Sequence, residues 1–152
     1  MPLVDFAVPF VAGKQRPRVL RNGGAFTPKK TREAETAIAE AYRAASNDRY
    51  GRVLVAPKHE PVSVVITTER PLPTSRPKHL KSEPDTYTPD WDNIAKLCDG
   101  LNGVAWHDDA QVTTACVIKR PRRRNVSQTT SITVSWGDER ALLLADGERL
   151  ES

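Results

Sequence analysis

The stretch that organises the chain is residues 88–99, Thr-Pro-Asp-Trp-Asp-Asn-Ile-Ala-Lys-Leu-Cys-Asp. It places three carboxylates and a lysine within twelve residues, and Asp108 and Asp109 follow shortly afterwards. Carboxylates this close repel one another unless a cation lies among them, and a hard divalent ion suits oxygen ligands best. The stretch therefore indicates a metal site beside the start of a helix.

The same stretch predicts an amphipathic helix over residues 90–102. Its apolar residues recur at helical spacing on one side, which is expected to face the core: Ile94, Leu97, Cys98 and Leu101. Asp92, Lys96 and Asp99 lie together on the opposite side of such a helix. A proline directly before Asp90 fits a helix start, so Asp90 is expected to precede the first regular turn, with its carboxylate beside that of Asp92.

Working outward from this helix, the pattern predicts one α+β domain with a single mixed sheet and two main helices. The predicted order is strand, hairpin, helix, strand, helix, strand, strand, at residues 4–9, 19–26, 31–45, 62–67, 90–102, 111–119 and 129–136. Thr31 is the expected N-cap of the first helix. The proline-rich segment 70–81 predicts a loop without regular structure.

The charge of the chain is unevenly distributed. The formal net charge is +4, but residues 138–152 contain five acids and two arginines, so this acidic tail carries −3 and residues 1–137 carry +7. A basic domain followed by an acidic tail favours a polyanionic partner, most simply nucleic acid. The bases expected to contact DNA lie in basic loops and turns: Lys14, Arg16, Arg18, Lys29, Lys30, Arg122, Arg123 and Arg124.

The two cysteines, Cys98 and Cys116, have neither zinc-type nor disulfide-framework spacing and are expected to be buried free thiols. The chain shows no signal-peptide pattern and no apolar run of about 20 residues. These features predict an intracellular protein that does not enter a membrane.

Each acidic residue also has a structural explanation that needs no metal. An Asp at a helix start commonly caps the helix, and an Asp pair before a strand commonly forms a turn. Lys96 and Asp99 are also explained as a weak pair on the helix surface. We expect Trp91 to anchor packing rather than to stack on a nucleobase, and His107 to be a turn residue.

The joint pattern resembles the RusA family of Holliday junction resolvases, nucleases found in bacteria, prophages and phages, whose hallmark is D-x-D-N-x-x-K followed downstream by D-D. The matching residues are Asp90-Trp91-Asp92-Asn93, Lys96, Asp99 and Asp108-Asp109-Ala110-Gln111. The basic segments at 13–18 and 27–31 are similar to the phage-type branch, so the resemblance covers roughly residues 3–136.

The resemblance implies a homodimeric endonuclease, dependent on Mg²⁺ or its substitute Mn²⁺, that makes paired nicks in four-way DNA junctions in the cytoplasm of a bacterial host. By position, Asp90, Asp92 and Asp109 bind the metal and act in catalysis, and Lys96 is the catalytic lysine. Asp108 matches the less critical member of the acidic pair.

Two alternatives stay open at this point. A non-catalytic protein that binds branched DNA would use the basic loops alone, with the acids acting as caps and turns. A nuclease that acts mainly on replication forks or flaps would share the chemistry and differ in substrate. The sequence also leaves open whether one metal ion or two are bound.

Overall fold

A four-stranded mixed sheet forms the centre of the structure. Its strands are β1 (Leu3–Val8), β4 (Val62–Glu69), β6 (Val112–Lys119) and β8 (Thr129–Trp136), in the spatial order β1-β8-β4-β6. Strand β8 is antiparallel to both neighbours, whereas β4 and β6 run parallel. The computed structural model describes residues 1–14, 18–19, 21, 23, 25–26 and 29–137.

The helices cover one face of this sheet. Helix α1 (Lys29–Tyr50) follows a hairpin of β2 (Arg18–Val19) and β3 (Ala25–Phe26), and α2 (Trp91–Lys96) continues as the 3₁₀ helix Leu97–Leu101. A second 3₁₀ turn, Asp109–Gln111, leads into β6, and β5 (Ser82–Glu83) pairs with β7 (Arg122–Arg123) at the periphery. Within the described residues, no helix combines the length and apolar character that a membrane crossing requires.

Alternation along the strands decides which side chains enter the core. The buried positions of β4 and β8 alternate, and their apolar members pack against α1 and α2: Val62, Val64, Ile66, Ile132, Val134 and Trp136. The other face carries mainly Ser and Thr, together with exposed Val65, Cys116 and Ile118. No described helix packs on that face, which we call the open face.

The predicted α+β class, the single domain, the mixed sheet and its element order are confirmed. The prediction that Thr31 caps α1 is wrong, because the helix already begins at Lys29 and Thr31 is buried within it. The predicted burial of Cys116 is also wrong, because its register against Val65 puts it on the open face. Arg16 and the acidic tail 138–152 lie outside the described residues.

The predicted helix over residues 90–102 is half α-helix and half 3₁₀ helix. At Gly100 the chain runs against the backbone of α1, where an added Cβ would lie 2.6 Å from the Glu35 carbonyl oxygen. This contact leaves no room for a side chain, so a glycine is required there and the last turns of the helix press directly onto α1.

Candidate active site

The first turn of α2 forms one wall of an open cleft of about 770 Å³. The segment at 11–14 and the start of α1 also line this cleft. The polar side chains that line the cleft are Lys14, Lys30, Thr31, Thr88, Asp90, Asp92, Asn93 and Lys96. Two carboxylates and three lysines therefore face one solvent-filled space.

Asp90 occupies the N-cap position of α2 with an extended backbone, as the sequence predicts. Its side chain makes no capping hydrogen bond, so helix capping does not account for this carboxylate. Asp92 lies in the first turn and faces Lys96 one turn later, with the Lys96 Nζ 3.7 Å from Asp92 Oδ2. Both side chains of this pair are about half exposed, so their mutual attraction is weak and either can engage a ligand.

The acidic pair before β6 is held by two buried side chains. Trp106 donates its indole N–H to Asp109 Oδ1 at 2.8 Å. Gln111 accepts from the backbone N–H groups of His107 and Asp108 and donates to the Pro57 carbonyl at 2.7 Å. Asp108 caps the 3₁₀ turn by accepting from the Ala110 N–H. Asp108 therefore has a structural role, whereas the Asp109 carboxylate is held by the Trp106 indole.

Asp109 lines a smaller cavity of about 230 Å³ between α2 and β6. Lys96 lines both this cavity and the cleft of Asp90 and Asp92, so it stands between the two parts of the predicted constellation. Among the described residues, no three Asp, Glu, His or Cys side chains are gathered closely enough to hold a metal ion. The donor types still fit a hard ion, because Mg²⁺ keeps several waters and uses one or two protein carboxylates.

The chain matches the family model described as endodeoxyribonuclease RusA over residues 9–135. The chain belongs to this family. No curated protein matches it. The match spans the cleft, the smaller cavity and the central sheet apart from β1 and the last residue of β8. It confirms the resemblance found in the motif. Membership indicates an endodeoxyribonuclease.

Lys14, predicted to contact DNA, has internal partners in this RusA-family chain. Its ammonium lies 2.7 Å from Asp99 Oδ2 and 3.2 Å from Glu35 Oε1, and its backbone N–H donates to the Asn93 carbonyl at 2.9 Å. The hydrogen bond with Asp99 is the main reason that the pKa of Lys14 is raised. Asp99 is thus paired with Lys14 rather than with Lys96.

The segment before α2 is fixed by a buried ion network that the sequence did not reveal. The Asp85 carboxylate is fully buried and accepts two hydrogen bonds from the Arg70 guanidinium. A third Arg70 nitrogen donates to the Thr88 carbonyl at 2.9 Å. Lys119, at the end of β6, donates to the carbonyls of Tyr87 and Pro89 and lies 4.0 Å from Asp85 Oδ1. These contacts tie three successive residues in front of Asp90 to the sheet.

The three arginines of the turn at 122–124 also have internal partners. Arg122 stacks on the Tyr87 ring, with its guanidinium carbon 4.4 Å from the ring centroid. Arg123 pairs with Glu69, and Arg124 donates to the carbonyls of Leu80 and Pro77. The turn therefore anchors the segment 70–81, which has no regular element beyond a bridge at Pro71. The contact of these three arginines with DNA stays a prediction.

Lys29 and Lys30 are exposed at the start of α1. Lys30 faces the cleft, whereas Lys29 makes a weak surface pair with Glu33 at 3.7 Å. Among the described bases predicted to bind DNA, Lys30 lines the cleft and makes no ion pair with a described acidic side chain. Trp91, expected to anchor packing, is instead exposed, and that expectation is wrong.

Proposed function

We propose that the chain is a divalent-metal-dependent endodeoxyribonuclease that resolves four-way DNA junctions by paired nicks. The observation that carries this proposal is the exposed, uncapped Asp90 beside Asp92 and Lys96 in one cleft of a RusA-family chain. Buried or capping carboxylates would explain the motif structurally, but these two face open space. Such a protein would act on DNA in the cytoplasm of a bacterial or phage-infected cell.

Asp90 and Asp92 are the proposed ligands for Mg²⁺, or for Mn²⁺ as a substitute. A divalent ion there would neutralise phosphate charge and make a water molecule more acidic. Asp109 is proposed as a third ligand, and its release from the Trp106 indole would be part of assembling the site. This exchange is energetically modest, because a hydrogen bond in a protein contributes only about 0.5–1.5 kcal/mol net.

Lys96 is proposed to supply positive charge to the phosphodiester. In the free protein its ammonium partly neutralises Asp92, which keeps the acidic site from repelling the DNA backbone. Because this ion pair is exposed and its N–O distance is 3.7 Å, the ammonium can turn toward a phosphate or a leaving oxygen at little cost in free energy. Lys30 lines the same cleft, and we propose that it contacts a neighbouring phosphate.

The direct test is cleavage of a labelled four-way junction with and without Mg²⁺. We expect symmetric nicks with Mg²⁺ or Mn²⁺ and none in a chelator, together with binding that weakens steeply as salt is raised. Tight junction binding without cleavage under any metal condition would favour the non-catalytic alternative. Faster cleavage of forks or flaps than of the four-way junction would identify forks or flaps as the preferred substrates.

We also propose that the protein is a homodimer that uses the open face of its sheet. Val65 and Cys116 are paired in register on neighbouring strands, and Ile118 follows on the same face, so three exposed apolar side chains are contiguous. In a two-fold dimer the same patch would meet itself, and two cleavage sites would address opposed strands of a symmetric junction.

Replacing Ile118 by Asp is expected to dissociate this dimer. An unpaired charge buried in an interface costs several kcal/mol, so the dissociation constant should rise by about two orders of magnitude or more. Sedimentation over a concentration series measures it, and Val55→Asp, at an equally exposed valine between α1 and β4, is the matched control. A dimer that survives Ile118→Asp, or a monomer at every concentration, would contradict the proposal.

A further inference from the structure

Trp91 is the most exposed tryptophan of the chain and lies between the two carboxylates of the cleft. Its side chain is 66% exposed, whereas Trp106 is 1% and Trp136 6% exposed. Within the described part of the chain, the indole makes no hydrogen bond, ring contact or cation–π contact. A large apolar ring left in water at this position has no role in packing the domain.

The chemistry around Trp91 restricts what can cover it. Asp90 and Asp92 flank it directly in the chain, so an acidic segment or a bare phosphate would meet two negative charges there. A nucleobase is uncharged, has a flat π face, and stacks on aromatic side chains without regard to sequence. Tyr87, the other exposed aromatic near the motif, already has the Arg122 guanidinium against its ring, so Trp91 offers the free face.

The interior of a linear duplex offers no partner for this face, because each base there is stacked on both sides. A base that ends a helical stack, or that is unpaired at a branch point, has one face available. We propose that the Trp91 indole stacks on such a base beside the scissile phosphate, and that this contact selects branched over linear DNA. The inference rests on the proposed function, since it takes the cleft of Asp90 and Asp92 as the cleavage site.

The first measurement is tryptophan emission during titration with DNA in the absence of divalent metal. Because Trp106 and Trp136 are buried, quenching by stacked bases should come from Trp91. We expect a four-way junction to quench the emission strongly and a duplex of the same sequence to quench it little. Trp91→Phe should remove the quenching while it keeps an aromatic face.

The second measurement compares affinities for junction and duplex across three variants. Trp91→Ala should weaken junction binding by about 5- to 150-fold, the range for loss of one base–aromatic stack, and leave duplex binding unchanged. Trp91→Phe should retain most of the preference, and Trp91→Leu should not. Val53→Ala, which trims another exposed apolar side chain far along the chain, is the matched control.

The outcomes separate this inference from the proposed function. Junction cleavage that continues in Trp91→Ala with an unchanged preference over duplex would overturn the stacking role and leave the nuclease proposal standing. Junction-specific quenching without cleavage in any metal would support stacking and reject the nuclease. Equal loss of affinity for both DNAs, or dissociation of a dimer in Trp91→Ala, would assign the indole to general binding or to an interface and overturn the inference.

Discussion

Asp92→Asn is expected to abolish junction nicking while junction binding is retained. Asn keeps the shape of the side chain but removes the charge that a hard divalent ion requires. The expected loss in cleavage rate is about 10³-fold or more, equivalent to roughly 4 kcal/mol of transition-state stabilisation. Affinity measured without metal should be unchanged or slightly higher, because one negative charge facing the phosphates is removed.

A matched control for this variant exists on α1. Glu33 and Lys29 form an exposed pair four residues apart at 3.7 Å, the same spacing and distance as Asp92 and Lys96. Glu33→Gln therefore removes an equivalent surface ion pair, worth under about 1 kcal/mol, without touching the cleft carboxylates. Cleavage should survive in Glu33→Gln. Joint loss of binding and cleavage in Asp92→Asn would instead indicate a role for Asp92 in folding or in DNA binding.

Local features of the site could be predicted because they depend on short stretches of chain. The apolar spacing of Ile94, Leu97 and Leu101 fixes which side of α2 meets the core, and these residues are buried. The proline before Asp90 and the extended backbone at Asp90 place the carboxylate ahead of the first turn. The predicted bounds of β8, Thr129–Trp136, are confirmed, and its buried and less buried residues alternate as in a strand with one face on the core.

Partners brought together by tertiary turns could not be predicted in this way. Asp109 is adjacent in sequence to Asp108, yet one binds the Trp106 indole and the other caps a backbone turn. Lys14 lies 85 residues from Asp99, and no periodicity connects them. Trp91 lies three residues before Ile94, so helical spacing alone would put its side chain on the side that faces the core. In the structure this side chain is exposed to solvent.

The burial of Asp85 is the clearest example of a feature that could not be predicted from the sequence. It lies in a polar segment without hydrophobic periodicity, yet its side chain is 0% exposed. Burial opposes ionisation of this carboxyl, but hydrogen bonds and charge from Arg70, with the charge of Lys119, outweigh it and lower its pKa. Its contribution to stability is therefore present above the ordinary carboxyl pKa and is lost as pH falls through the lowered folded-state value.

Asp85→Ala is expected to cause the largest loss of stability among single substitutions near the site. It leaves Arg70 and Lys119 largely buried without their counter-charge, and breaking a buried pair in this way costs about 3–5 kcal/mol. Because both cations keep some contact with water, the lower end applies, and Tm should fall by about 6–12 °C. Thermal unfolding at neutral pH measures this, and a shift no larger than that of Glu69→Gln, which removes the more exposed Arg123 pair, would contradict it.

Lys119→Met separates the stability of the network from its effect on the cleft. The Arg70–Asp85 pair stays intact in this variant, but the carbonyls of Tyr87 and Pro89 lose their donor. Because those carbonyls lie just before Asp90, the network acts as a support for the proposed metal ligands, and loss of such a support typically costs 10–100-fold in metal affinity or activity. Cleavage should therefore fall by about that factor with a smaller fall in Tm than in Asp85→Ala, and added Mg²⁺ should restore part of it. A cleavage rate that merely follows Tm across Asp85→Ala, Lys119→Met and Glu69→Gln would reduce the network to a structural element with no influence on Asp90.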